Sequence, residues 1–446
     1  MAGAVQDSLL FSDLFPTGDV GRLFSDTAAL RAMLLVEGAL AKVQAAQGII
    51  PEVSAHAIQR AAMEVQVDPA ALTAETGQNG VSIPALLRVF RQEMQAPEHA
   101  QYVHWGATSQ DIIDTGLMLR LRQTLALFES DLKAVLQRLA TLCEENASTP
   151  MPARTYGQPA TPTSFGAAVA EWGAPLLALL NELEDLRAKA LLVSLSGAAG
   201  TASALGPAPA ETRAALADAL GLGDPGRSWH TDRTPVLKVA DWAVRLCLSV
   251  GKIGEDVRNF VDPNAGFVRL DAAGSSSTMP QKQNPVAASV LIATARHVIG
   301  LNSTLQGAAI HRDQRDGAAW FTEWMCLPQI LLGTATSLQA ALPMLEQLVP
   351  QPAQMAAGFD PLGLIHAEQL SFALAARMPR PEAQAATKAL CQEASKDGVT
   401  LQALVARDWP ELEIDAIFDP ARSLGNAPDD AQRFARKVRE TLAGHT

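Results

Sequence analysis

An all-α fold is predicted on three observations. Hydrophobic residues make up 48% of the 446-residue chain and aromatic ones 5%, with alanine and leucine dominant, and both are strong helix formers. Alternating runs of Val, Ile or Thr, which mark half-buried strands, are nearly absent. From Asp111 onward, apolar residues recur at three- and four-residue steps over stretches far longer than an ordinary helix.

Residues 1–110 read as short helices broken by Pro and Gly. Ser25-Asp26 supplies a cap ahead of the periodic run Leu30, Met33, Leu34, Leu40, Val43. Gly48 and Pro51 end that helix, Gly77–Gly80 is a turn, and Ile83-Pro84 opens another helix. Ile112 to Glu145 then runs without a proline, and one helix of this length is about 50 Å long. Similar patterns cover about 163–194, 235–261, 286–311 and 317–348; Pro175, Pro328 and Pro343 fall inside them and are expected to kink them. Five such helices predict a bundle. Their broad, Ala-rich faces suit packing against more than one neighbour, so an oligomer is expected. From about Pro361 the elements shorten, with Pro379, Pro381, Pro410 and Pro420 as punctuation. The expected organisation is an N-terminal helical domain over 1–110, a long-helix domain over 111–360 and a small helical domain over 361–446.

The net charge of −12 is not offset by any basic stripe, which argues against nucleic acid as a partner. It does not exclude an anionic substrate, because local cations can outweigh a distant acidic surface. No apolar run is expected to approach the roughly 18–20 residues that cross a bilayer, and Met1-Ala2-Gly3 does not begin a signal peptide. Cys143, Cys247, Cys326 and Cys391 are far apart and form no Cys-x-x-Cys pair. These features predict a reduced, cytoplasmic protein with no metal, no cofactor and no membrane contact.

Three polar clusters stand at the edges of the long helices. The first is His104-Trp105-Gly106-Ala107-Thr108-Ser109-Gln110-Asp111, where Thr108 and Ser109 either cap a helix or help its N-terminal end hold an anion. The second is Arg154-Thr155-Tyr156-Gly157-Gln158-Pro159-Ala160-Thr161-Pro162-Thr163, which also reads as turn chemistry before a helix. The third, Gly274-Ser275-Ser276-Ser277-Thr278-Met279-Pro280-Gln281-Lys282-Gln283-Asn284-Pro285, gathers four hydroxyls, an ammonium and a carboxamide between a flexible glycine and two stiff prolines. Its hydroxyls can exchange a proton, and Lys282 and Asn284 can hold an anion. An isolated Ser-rich segment of this kind is more often only a polar linker.

The order of residues in the third cluster resembles the signature of the fumarase/aspartase superfamily, Gly-Ser-Ser-x-Met-Pro-x-Lys-x-Asn-Pro, and all three clusters resemble superfamily regions in the same chain order. The resemblance implies a three-domain fold with a central bundle of long helices contributed by four subunits. It also implies a homotetramer whose active sites form where three subunits meet, each lending one cluster. The superfamily's catalytic base is a loop serine six positions before the lysine, which is Ser276 here; one additional serine leaves Ser275 and Ser277 as alternatives. Thr108 and Ser109 match the segment that binds a substrate carboxylate, and the second cluster resembles Thr-His-x-Gln-x-Ala-x-Pro-x-Thr.

Two departures narrow the resemblance. Tyr156 stands where most relatives carry a histidine, and Ser289 stands where they carry the glutamate that pairs with it. Loss of both together resembles the branch that cyclises 3-carboxy-cis,cis-muconate. Asp114-Thr115-Gly116-Leu117, Trp229-His230-Thr231 and Glu323-Trp324 also resemble that branch, while Pro159 departs from the histidine found there in some members.

What this implies is a cycloisomerase of protocatechuate-type aromatic catabolism. The substrate's own carboxylate closes a lactone, and the charge delocalises into a neighbouring carboxylate as an aci-form. Ser276 is expected to move the proton, with Lys282 stabilising the charge and His104 as a second acid/base, an anion contact or a hydrogen-bonded structural residue. Thr108, Ser109, Thr155, Gln158, Ser277, Asn284 and Arg315 are expected to bind the di- or tricarboxylate, and Tyr156 to shape the pocket. Arg312 is a further candidate for a third carboxylate. The rival readings are a lyase releasing fumarate from an amino- or otherwise substituted succinate, and a catalytically silent structural relative.

Overall fold

A computed structural model describes residues 4–271, 274–275, 279 and 283–444. The chain is helical throughout, with strands confined to three two-stranded antiparallel ladders among the described residues. The five predicted long helices are present as Ser109–Glu145, Phe165–Asn181, Thr234–Phe260, Val286–Gly307 and Gly317–Glu346. Pro175, Pro328 and Pro343 lie inside their helices, as placed from the sequence.

The pattern expected over 163–194 is shorter than its periodicity suggests. Residues before Phe165 belong to a strand, and a second helix, Leu183–Ala190, follows Asn181. The strand has a local cause. Pro159 and Pro162 lack the N–H a helix interior needs and push the residue before each toward extended backbone. Pro150–Thr155 therefore pairs antiparallel with Gln158–Ser164, Thr155 opposite Gln158.

The chain divides into two compact units, and the division falls inside all five long helices. One comprises 1–131, 179–248 and 293–340; the other comprises 132–178, 249–292 and 341–446.

In the first unit, the helix Asp26–Ala46 begins at an N-cap, Ser25, whose side chain accepts from the Ala28 N–H. Its buried face, including Leu34, Val36 and Leu40, packs with Ile58, Leu86, Phe90, Ile112, Leu195 and Trp320 in one apolar core. Each fully buried Leu, Ile or Phe there contributes about 1.5–3 kcal/mol relative to exposure. In the second unit, Phe165, Trp172, Phe260 and Phe267 form a chain of aromatic contacts, and the Trp172 indole N–H donates to Asp256 at 2.7 Å. The helix Ala427–Gly444 approaches at Gly173, where a Cβ would sit 2.0 Å from the Phe434 ring; only glycine fits. Leu370, Leu390, Leu401, Val405 and Phe418 make a separate small core within the same unit.

Two helices, Val286–Gly307 and Gly317–Glu346, are long and apolar enough to cross a membrane by length and composition alone. Neither reads as an apolar run in the sequence, because Ser, Thr and Gly dilute each one and a charged residue interrupts it, Arg296 in the first and Glu323 in the second. The most apolar window of the second is 61% buried, as in a core helix, and that of the first 39%.

Candidate active site

Thr108 stands immediately before the helix Ser109–Glu145. Its N–H donates to the Asp111 carboxylate at 3.0 Å, while the Asp111 N–H donates to the Thr108 carbonyl at 3.0 Å. This reciprocal cap satisfies donors that a helix start leaves open. The turn into it passes through Gly106 (φ 74°), where a Cβ would lie 2.3 Å from the Ala204 carbonyl. Asp111 is fully buried and accepts further from the Ser196 N–H at 2.8 Å, the Gly197 N–H at 2.9 Å and the Ser194 hydroxyl at 3.4 Å. His230 Nε2 lies 2.8 Å from the same carboxylate. One side chain thus ties the helix start to the 194–197 segment and to His230.

Arg315, predicted as an anion ligand, is brought to this cluster. Its Nε donates to Gln110 Oε1 at 2.9 Å, and its Nη2 donates to Thr108 Oγ1 and to the Ala198 carbonyl, each at 3.3 Å. The guanidinium is exposed, and its acceptors among the described residues are neutral, so its charge is left for a carboxylate. Ser109 is half-buried beside it, and Arg312 is exposed. Gln110 is itself fixed, donating to the His230 carbonyl at 2.9 Å and to Asp114 at 3.2 Å.

Beneath lies a buried ionic triad. Arg233 forks onto Asp114 at 2.8 and 3.0 Å and onto Glu323 at 2.8 and 2.7 Å, with Trp229 stacked 4.9 Å from the guanidinium. Burial pulls the Arg233 pKa down, but the two carboxylates outweigh it and drive it up. Burial raises the Glu323 pKa against the pull of Arg233. Both directions follow from the count, since two carboxylates share one cation and leave an excess negative charge in a dry site.

His104, expected as an acid/base, an anion contact or a structural histidine, has φ 65°, a left-handed backbone that costs a non-glycine residue about 1–3 kcal/mol. Its Nδ1 lies 2.6 Å from Glu37, whose side chain is wholly buried. Burial pulls the imidazole pKa down, yet the charge and hydrogen bond of Glu37, with help from Asp111 and against Arg91, lift it above the ordinary histidine value.

The other predicted residues belong to the second unit. Tyr156 (φ 52°) and Gly157 (φ 74°) form the two-residue turn of the strand pair, and positive φ at both positions is the primed turn that matches strand twist. Thr155, Tyr156 and Gln158 are all exposed at that tip, Tyr156 completely. A cavity of about 690 Å³ lies against the hairpin, lined by Arg154, Gly157, Thr163, Glu171, Lys252 and Asp256. In the serine-rich segment, Gly274 pairs with Asn284 and Ser275 with Gln283. Asn284 is half-buried. Ser276, Ser277 and Lys282 lie outside the described residues.

Residue patterns alone missed Gln110, Asp111, Asp114, Arg233 and Glu37 as organisers. A signal existed: Gln110, Asp111 and Asp114 interrupt an apolar helix at three- and four-residue spacing, on a face that should be core. Among the described residues, no cluster of three or more His, Cys, Asp or Glu side chains could hold a metal ion.

Comparison with known proteins gives a consistent result. A lyase family model matches residues 18–300. The chain is 37% identical to 3-carboxy-cis,cis-muconate cycloisomerase of Pseudomonas aeruginosa, covering 94% of each chain. It is 33% identical to nitrosuccinate lyase of Streptomyces davaonensis, covering 95% of this chain and 94% of that one. The crystal structure of 3-carboxy-cis,cis-muconate lactonizing enzyme from Pseudomonas putida matches with a TM-score of 0.91 and 33% identity, over 98% of this chain and all of the other.

Proposed function

The chain belongs to the lyase family of the fumarase/aspartase superfamily and is an enzyme of that superfamily; within it, we propose that the chain closes 3-carboxy-cis,cis-muconate to a carboxymuconolactone in aromatic-compound catabolism. The observation that carries this reading is the exposed guanidinium of Arg315 hydrogen-bonded to Thr108 at a helix start, a receptor for carboxylate, in a chain similar along its length to cycloisomerases of this substrate. Arg315, Thr108 and Ser109 hold one carboxylate, while Thr155, Gln158, Ser277 and Asn284 hold others. A further carboxylate of the substrate attacks its own double bond. Charge flows into the neighbouring carboxylate, and Ser276 delivers a proton to the adjacent carbon.

A serine hydroxyl is too weak an acid in water to give that proton up. Its alkoxide needs Lys282 and backbone N–H groups in a site closed to solvent. Ring closure expels no amine or other leaving group, which fits Tyr156 and Ser289 at the positions of the superfamily's histidine and glutamate. Tyr156 shapes the pocket.

The proposal includes a homotetramer, three domains (1–110, 111–360 and 361–446) and a cytoplasmic setting. An exposed hairpin tip carrying Thr155, Tyr156 and Gln158 suits a part lent to a neighbouring subunit. Leu248, Val286, Ile299, Phe321 and Met325 are exposed apolar residues on long helices, as a bundle shared between subunits requires.

The second reading, a lyase releasing fumarate from a substituted succinate, is favoured by the similarity to nitrosuccinate lyase. Mixing the purified protein with 3-carboxy-cis,cis-muconate and following the diene's ultraviolet absorbance separates the two. Loss of absorbance with a lactone product is expected. Fumarate release from substituted succinates, with no diene loss, would replace the cycloisomerase reading with the lyase.

A further inference from the structure

Away from every residue assigned above, a cavity of about 430 Å³ opens in the first unit, with Arg31, Lys42, Arg120 and Arg122 among its lining and no Asp or Glu. Arg31 and Lys42 stand eleven residues apart on the helix Asp26–Ala46, about three turns, so both face the same side. Arg120 and Arg122 come from the helix Ser109–Glu145. The rest of the wall is mostly apolar, with Ala28, Ala32, Ala39 and Ala62 beside the larger Leu35 and Leu119.

These cations have partial structural employment. The Arg31 guanidinium donates to the Ala62 carbonyl, Arg122 to the Leu220 and Gly221 carbonyls, and Arg120 to the Leu23 carbonyl. Each acceptor lies at or near a helix C-terminal end, where such contacts are favourable. They do not balance the charge. A helix end carries about half a negative charge, against four full positive ones. Arg120 Nε is buried and has no hydrogen-bond partner. Burial alone lowers the Arg120 pKa, to about 10, with no carboxylate acting on it. Lys42 is exposed at the rim and ion-pairs with no described carboxylate.

We propose that this cavity is a second anion site, which binds a small molecule bearing several carboxylate or phosphate groups. The volume is within the range of small-molecule sites. The apolar part of the wall accepts a compact carbon skeleton, and the four cations meet its charges. Charge-assisted donors of this kind contribute the stronger hydrogen bonds in proteins.

The test is titration calorimetry of the full chain with citrate and with pyrophosphate at low ionic strength. Three proteins are compared: wild type, Lys42→Gln and Arg120→Met, with circular dichroism confirming that each variant is folded. Lys42 is exposed, so its substitution leaves the fold intact even if Arg120→Met does not. Wild type is expected to take up an anion that Lys42→Gln weakens about tenfold, the scale of one charged hydrogen bond, and that added salt weakens further. Tighter citrate binding identifies a polycarboxylate ligand, and tighter pyrophosphate binding a phosphorylated one. The proposal is overturned if neither anion binds, or if all binding is unchanged in Lys42→Gln.

Discussion

Asp111 does the most with one side chain. Its two oxygens accept from Ser194, Ser196 and Gly197 and meet His230 out of water, and accept from Thr108 at the edge of the buried site. Asp111→Asn keeps the shape but turns one acceptor into a donor facing other donors. It should cost about 3 kcal/mol in urea unfolding, the scale of buried unpaired groups; a loss under about 1 kcal/mol would contradict this organising role. His104 gives a pH prediction of definite sign. Its folded pKa lies above 6.5, raised by Glu37 against burial. The stability from this pair is therefore complete below 6.5 and lost as pH rises through the folded value. Glu37→Gln should remove that dependence. Unfolding of both proteins at about pH 6 and about pH 9, either side of the histidine range, checks it: equal pH slopes would refute the coupling.

Among elements, the triad of Arg233 with Asp114 and Glu323 fastens the helix Ser109–Glu145 to the helix Gly317–Glu346 at the residue just before Thr234–Phe260. Arg233→Met strands two buried carboxylates and should cost about 3–5 kcal/mol. Replacing Asp114 and Glu323 by leucine as well should recover much of it. Full stability in Arg233→Met would mean the triad contributes nothing. This network is only partly legible in the sequence. The helices are readable because leucine and alanine at helical period admit one secondary structure. Asp114 shows in the sequence as a polar break in an apolar helix, whereas His230 and Glu323 stand out only through a resemblance. Their meeting depends on contacts between residues 90 to 119 positions apart, which no local pattern encodes. The strand pair around Tyr156-Gly157 reads from the sequence as a turn before a helix, because Pro159-Ala160-Thr161-Pro162-Thr163 carries little apolar signal. Its turn chemistry, a positive-φ pair ending in glycine, is the readable part.

At the scale of the whole molecule, the proposed carboxylate receptor at Thr108 and Arg315 belongs to one unit, and the hairpin tip and serine-rich segment to the other. The proposed assembly of three subunits around each site is a reading that no single chain's pattern encodes, since oligomeric geometry lies in surfaces rather than periodicity. The exposed apolar residues of the long helices give it a physical motive. The proposed chemistry rests on one hydroxyl, that of Ser276. Wild type and Ser276→Ala should be compared side by side with 3-carboxy-cis,cis-muconate, reading lactone formation together with sedimentation. The account predicts lactone from wild type and none from Ser276→Ala, with the tetramer intact in both. Undiminished lactone formation by Ser276→Ala would contradict it and move the proton-transfer role away from that serine.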